Sequence, residues 1–407
     1  MAQTLIENGQ TGLIARTAIN ENFEETFLLN TVNVNKLAHL PTPAGGFIQL
    51  AANTRYNFGV EVDIGVNKIM LGDSCSITTH SPFLPALKSD TTDALINGNN
   101  VNFYIKDAGL RCDNGSFFDV TNTLGNTKIG LLHTVIFTGG VDFGVFDDLL
   151  SLVITNCNAI ELTGRGLRTL GLDWTILNLD RFFIVSSGAT FKGVDLGSAT
   201  FATVEMKDVI SVPTNAAGIG LSGLANSGNI ANGNIATAID CELGGVGAAL
   251  ENITKKDIKW SFERTTNVKD SRTLGAMEQI GNVLTTTLVT SSYVNYSGVF
   301  SESSEIERAE VVSSQLKMLV AGSGIAMISF DGTKVGGGTD AIVEAGLFKN
   351  NSIASTITRK FQAISSEISI NFQVPVDFNE NDVYDIRLKR ISGTTNWLAG
   401  NTTLIIA

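Results

Sequence analysis

Residues 149–180 read LLSLVITNCNAIELTGRGLRTLGLDWTILNLD. Apolar and polar residues alternate through Leu152, Ile154 and Asn156, the period of a strand with one buried face. The pieces ITNCNAIELTG and ILNLD end in Gly and Asp, where a chain turns tightly. Working outward, segments of the same kind recur: VDIGVNKIML, NVNFYIKDAGL and IGLLHTVIF upstream, ATFKGVDL, ATFATVEMKDVI and KDIKWSFE downstream. No credible helix of ten or more residues intervenes, which excludes a parallel sheet with crossover helices. An antiparallel sandwich and a β-solenoid remain. From Phe103 through Val135, Val153 and Ile176 the segments recur at roughly 18–32 residues, a period near 20–25 that approximates one coil of a three-faced solenoid. Scarce proline (6 in 407 residues) agrees with strands whose N–H groups are committed to neighbours above and below. The solenoid is the better reading.

Composition points the same way. Charged residues are 17% of the chain, and 41 Gly with abundant Asn, Thr and Ser take their place. The 40 acidic residues outnumber 28 basic ones, giving a net charge of −12, and the basic residues are scattered, so no nucleic-acid partner is expected. No apolar window is long enough to span a membrane, and MAQTLIENGQTG does not read as a signal peptide. Cys75, Cys112, Cys157 and Cys241 are widely separated and read as buried free thiols; His39, His80 and His133 are isolated, so no metal site is expected. Gly218, Gly220 and Gly223 spell GxGxxG with Asp240 downstream, but LANSGNIANGN cannot open the helix a dinucleotide needs. No cofactor is expected.

Three regions follow. In residues 1–40, Ile19, Phe23 and Phe27 are four residues apart, one face of an amphipathic helix capped at Thr17, and Pro41 and Pro43 mark a linker. Residues 41–273 are the solenoid. Residues 274–407 read as a β-sandwich, with ERAEVVSSQLKMLVA as one strand and turns at Asp331-Gly332, Asn350-Asn351 and Ser392-Gly393. The ending LIIA predicts a last strand tied into a sheet.

Glycan cleavage requires two carboxylates flanking the scissile bond, about 5 Å or about 6.5–9.5 Å apart. Solenoid candidates are Asp142, Asp147, Asp148, Glu161, Asp173, Asp180 and Asp195; Glu161, Asp173 and Asp180 are the choice for a depolymerase, with Trp174 beside Asp173 as a surface for a sugar ring. Scattered acids on an acidic surface and a buried Trp174 account for the same residues without catalysis, so a non-enzymatic role is the first expectation. In the sandwich, Phe378 and Trp397 are candidate ligand contacts, with loop-anchoring burial as the alternative.

The chain also resembles bacteriophage fibre and spike proteins in three places. TGLIARTAINENFEETF is similar to the segment that opens many of them, roughly TG-x-x-x-R-T-x-I-N-x-N-F-x-E, with Arg16, Thr17, Ile19, Asn20, Asn22, Phe23 and Glu25 at matching positions and Ala18 in place of a basic residue. The middle resembles the pectate-lyase-like right-handed parallel β-helix, and KDIKWSFERTTNVKDSRT resembles a segment that closes it. AGLFKNNSI and DFNENDVYDIRLKR resemble the tumour-necrosis-factor-like jelly roll, with Asn351 and Asn381 replacing family glycines. The resemblance implies a homotrimeric virion appendage that contacts other virion proteins through Arg16, Ile19, Asn20, Asn22, Phe23 and Phe27. It also implies contact with a host-surface glycan or protein through the distal β domains. A glycan depolymerase and a capsid-bound head fibre or decoration are the alternatives.

Overall fold

Trp174–Ser186, from the stretch read first, pairs in parallel with Ser151–Leu162 on one side and Phe201–Lys207 on the other. A computed structural model describes residues 30–79, 85–123, 127–225, 228–253, 259–268, 275–279, 284–297, 300–302 and 308–407. Among these, the pairing extends into a β-solenoid of about nine turns. One parallel sheet has a ten-strand path from Thr31–Val34 to Trp260–Glu263, and a second has nine strands from Phe47–Gln49 to Ala248–Glu251. The described residues contain a single short helix, the 3-10 turn Leu37–His39.

Register gives the coil length directly. Thr31, Arg55, Ser76, Tyr104, Leu131, Val153, Asn178, Glu205, Thr237 and Ser261 pair in succession, in steps of 21 (Arg55 to Ser76) to 32 residues (Glu205 to Thr237). The steps fall inside the uneven recurrence of roughly 18–32 residues read from the segments, several of them longer than a 20–25-residue period. The longest contains the Gly- and Asn-rich stretch, which supplies the short strand Ile219–Ser222 to the second sheet. Residues 31–40, expected to belong to an N-terminal segment, already form part of the first coil, and Pro41 and Pro43 lie inside it.

The long strands of the first sheet do not stop at the corner of the coil; they bend through it. Asp107, Thr134, Asn156, Arg181, Asp208, Asp240 and Arg264 occupy the same register position on seven successive coils, each with φ between 46° and 55°. This left-handed residue turns the strand while both flanks keep their ladder bonds. Asn and Asp tolerate it because their short side chains bond locally; a β-branched residue such as Thr134 does not. Arg264 and Asp240, on adjacent rungs, pair through two bonds of 2.7 and 2.8 Å.

Inside the coils, Phe103, Phe117, Phe118, Phe137, Phe143, Phe146 and Phe182 form a continuous aromatic run with centroids 5.0–6.4 Å apart. Each buried ring contributes about 1.5–3 kcal/mol through area alone. All four cysteines are buried free thiols, and burial pushes Cys75 and Cys157 to about 12.

Contacts divide the chain into two units; among the described residues the first runs to 268 and the second from 275. The second consists of two six-stranded antiparallel sheets. Asn396–Ile406, the strand carrying LIIA, lies between Gly275–Gln279 and Gly322–Val335. Two expectations change. ERAEVVSSQLKMLVA is a hairpin, Ala309–Val312 against Gln315–Met318, turned by Ser313 and Ser314 in the left-handed region. Asp331-Gly332 lies inside Gly322–Val335, where the register shifts against Asn396–Ile406; Gly332 is needed there because a Cβ would meet Leu398 O at 2.3 Å.

We predict that Thr134→Asn stabilises the protein by about 1 kcal/mol, and that Asn156→Val destabilises it by about 1–2 kcal/mol. Urea midpoints measure both. Unchanged midpoints in the two variants would show that the corner is conformationally neutral.

Candidate functional site

On the outer face of the second sheet the strands Ala94–Asn99, Ser116–Thr121, Gly144–Asp147 and Leu167–Leu170 frame a groove of about 570 Å³. Polar side chains point outward from these strands because their neighbours, such as Val120 and Phe146, fill the interior. In register across the groove stand Asn97, Asp119, Val145 and Arg168, with Asp195 on the next coil. Lys68 closes one end on Asp93 at 2.7 Å. At the other end Arg165 donates its backbone N–H to Asp142 at 2.5 Å, and Arg168 Nε is buried 3.7 Å from Asp195, beyond hydrogen-bond reach.

Asp119 and Asp147 are the carboxylates that the register brings together. Asp147 pairs with Thr121, two residues beyond Asp119 on the adjacent strand. With strands about 4.8 Å apart and about 3.3 Å per residue, their backbones are about 8 Å apart. That is compatible with the spacing of an inverting carboxylate pair, about 6.5–9.5 Å. Burial raises the Asp147 carboxyl above 3.8, and the Asp148 and Asp119 charges add to the effect against a bond from the Asp148 backbone. A carboxyl raised in this way at Asp147, beside an exposed Asp119, is the direction of shift that an acid–base pair uses.

The acids chosen from sequence are placed elsewhere. Asp180 lies on the first sheet, opposite Thr155 and 3.7 Å from Arg181. Glu161 is six residues past Thr155, beyond the corner, with a φ of 63°. Asp173 sits in the turn before Trp174–Ser186, also left-handed at 61°. The three occupy separate stations around the coil, so they do not form one pair. Trp174 is buried with its Nε1 donating to Leu170 O at 2.8 Å, so it offers no face to a sugar. Among the seven solenoid acids only Asp142 and Asp147 line the groove; Asp119 was missed. Its available signal was the matching pieces SFFDVT and GVFD, each with Asp directly after a phenylalanine.

Phe378 and Trp397 are both buried in the core of the second unit, Trp397 edge-on to Phe330 and Phe361; burial, the alternative stated for them, is what the structure shows. The attachment candidates Arg16, Ile19, Asn20, Asn22, Phe23 and Phe27 lie outside the described residues. Among the described residues, no group of three or more His, Cys, Asp or Glu is placed to hold a metal ion, and no helix is long and apolar enough to cross a membrane. The GxGxxG glycines build a coil: a Cβ on Gly220 would meet Gly244 N at 2.6 Å, and Asp240 belongs to the corner column.

No family model and no curated protein matches the chain. Solved structures similar to it include the Eiger TNF of S. frugiperda, at 10% identity over 33% of this chain and 94% of that one, with a TM-score of 0.23. Another is the enzymatically active domain of bacteriophage CBA120 tailspike protein 4, at 9% identity over 85% of this chain and 64% of that one, also with a TM-score of 0.23. At such scores the fold rests on the strand pairing itself.

The raised Asp147 value has a thermodynamic sign. Below 3.8 both folded and unfolded chains carry the proton; as pH rises from there to the folded value, the unfolded chain ionises first and stability falls. We expect Asp147→Asn to melt at the wild-type temperature at pH 3 and above it at pH 7. Equal melting at both pH values would remove Asp147 as a proton-holding group.

Proposed function

We propose that the chain is a structural virion appendage, a homotrimeric fibre or spike joined to other virion proteins by its N-terminal segment, whose solenoid groove takes a host-surface glycan. The observation that carries the reading is the groove. Asn97, Asp119, Arg168 and Asp195 stand in one line over five coils, interrupted only at Val145, so hydrogen-bonding groups recur along the solenoid as they recur along a linear polysaccharide. The order of the three resembling segments supports assignment to a virion. Capsid attachment, as a head fibre or decoration, remains the alternative position.

The trimer has support in the second unit. The outer face of its sheet carries Ile325, Met327 and Ile405 beside a hollow of about 530 Å³, with Ile325 47% exposed. Burying such a face between copies is the ordinary use of an exposed apolar sheet. Light scattering should give about three times 43.2 kDa for the purified protein, and Met327→Asp with Ile405→Asp should return it to monomer mass. A wild-type monomer would overturn the trimer.

Asp119 and Asp147 favour a second reading, glycan cleavage. Purified protein is incubated with host envelope polysaccharide, and both retention and new reducing ends are measured. Retention without reducing ends, abolished by Arg168→Ala, supports a binding appendage. Reducing ends that fall about 100-fold or more in Asp147→Asn identify a depolymerase. Neither signal, across the host's surface polysaccharides, would sink the groove as a glycan site.

A further inference from the structure

Charge is distributed unevenly along the groove of the second sheet, and the distribution restricts which glycan fits. The lining carries the cations Lys68, Arg165 and Arg168 and the acids Asp93, Asp119, Asp142 and Asp147. Lys68 is neutralised by Asp93 at 2.7 Å. Asp142 accepts the Arg165 backbone N–H at 2.5 Å, which fixes where the Arg165 side chain leaves the strand. That side chain is exposed, and among the described residues no carboxylate is within ion-pair reach of it. Arg168 is 38% exposed; its Nε is buried without a hydrogen-bond partner, 3.7 Å from Asp195. One end of the groove therefore presents two guanidinium groups whose donors the chain itself does not saturate. Such groups match the planar fork of a carboxylate, or two oxygens of a phosphate, through paired charge-assisted bonds.

The acids stand one place further along. Val145 is in register with Arg168 on one side and Asp119 on the other. Asp147 is in register with Leu170, two residues past Arg168. By strand spacing, the Arg168 backbone is about 8 Å from that of Asp147 and about 10 Å from that of Asp119. An anionic sugar is attracted to the arginines. The next sugar, between Asp119 and Asp147, is repelled if it too is charged. Uncharged, it can donate its hydroxyls to both carboxylates. Val145 and Leu170, half-buried on the groove wall, offer an apolar rest for the C–H face of that ring.

We propose that the groove selects a polysaccharide in which an anionic sugar stands beside an uncharged one. Arg165 and Arg168 hold the anion, a carboxylate or a phosphate carried on the sugar. The uncharged ring lies over Val145, between Asp119 and Asp147. This selection rests on the groove's being a glycan site, and it can fail while that site stands.

The test measures retention of host envelope polysaccharide on the immobilised full chain. The polymer is used as isolated, after reduction of its carboxyls to alcohols, and after removal of its phosphates with hydrofluoric acid. Arg165→Ala keeps the backbone N–H that Asp142 accepts, and weakens retention of the untreated polymer about tenfold or more. One of the two treatments lowers wild-type retention to the same degree and identifies the anion. On that treated polymer Arg165→Ala has no further effect. Polygalacturonate, charged at every unit, is not retained. Retention that survives both treatments and is unchanged in Arg165→Ala overturns the selection and leaves the glycan site intact. Retention of polygalacturonate overturns the requirement for an uncharged neighbour. No retention of the host polymer in any form overturns the glycan site and the selection together.

Discussion

Each coil of the solenoid hydrogen-bonds to the coils above and below, residue against residue, and that ladder constrains everything else. A strand bound on both edges cannot slip, so every coil must turn its corner at the same position. The seven left-handed residues from Asp107 to Arg264 are the result. The cost of each falls on one residue, while the ladder bonds on both flanks are kept. Interior packing follows, because a fixed corner fixes which side chains point inward. Phe118 and Phe137 can then meet at 5.5 Å on neighbouring coils, although nothing local in the sequence pairs them.

Proline shows the same constraint. Pro41 and Pro43 lie outside the strands of the first coil, and Pro85 and Pro213 are the first and last residues of their strands. Pro375 lies in Ile368–Phe378, at the edge of its sheet, where a missing donor costs no ladder bond. A second constraint acts on the outer face of the other antiparallel sheet. Glu344 is buried there between Lys389 at 3.2 Å and Lys360 at 3.6 Å and accepts the Tyr293 hydroxyl at 2.5 Å, which ties the 284–297 segment across the strands.

The architecture was legible because a strand's alternation is local. Leu152 and Ile154 declare an inward face whatever lies beside them. Coil length was less legible: the corner residues Asn156 and Arg181 look like strand ends, yet they sit inside strands of 12 and 13 residues. The first coil was obscured by Pro41 and Pro43, whose chemistry suits a turn within a coil as well as a linker. The site was least legible. Asp119 and Asp147 are neighbours only through inter-coil register, and register depends on loop lengths that no motif announces. Choosing Asp173 for its neighbour Trp174 missed that the strand begins at Trp174: the ring goes into the core, while the acid stays exposed in the left-handed turn before it.

The direction of the ladder bonds has a mechanical meaning. They run along the solenoid axis, from coil to coil, while the covalent chain winds around it. A pull along the axis therefore loads the bonds at one coil boundary at a time and peels turns from an end. A push along the axis only presses rungs already in contact. Sideways bending must shear several rungs together and also disturb the aromatic run inside. Such a body bears compression and bending better than tension.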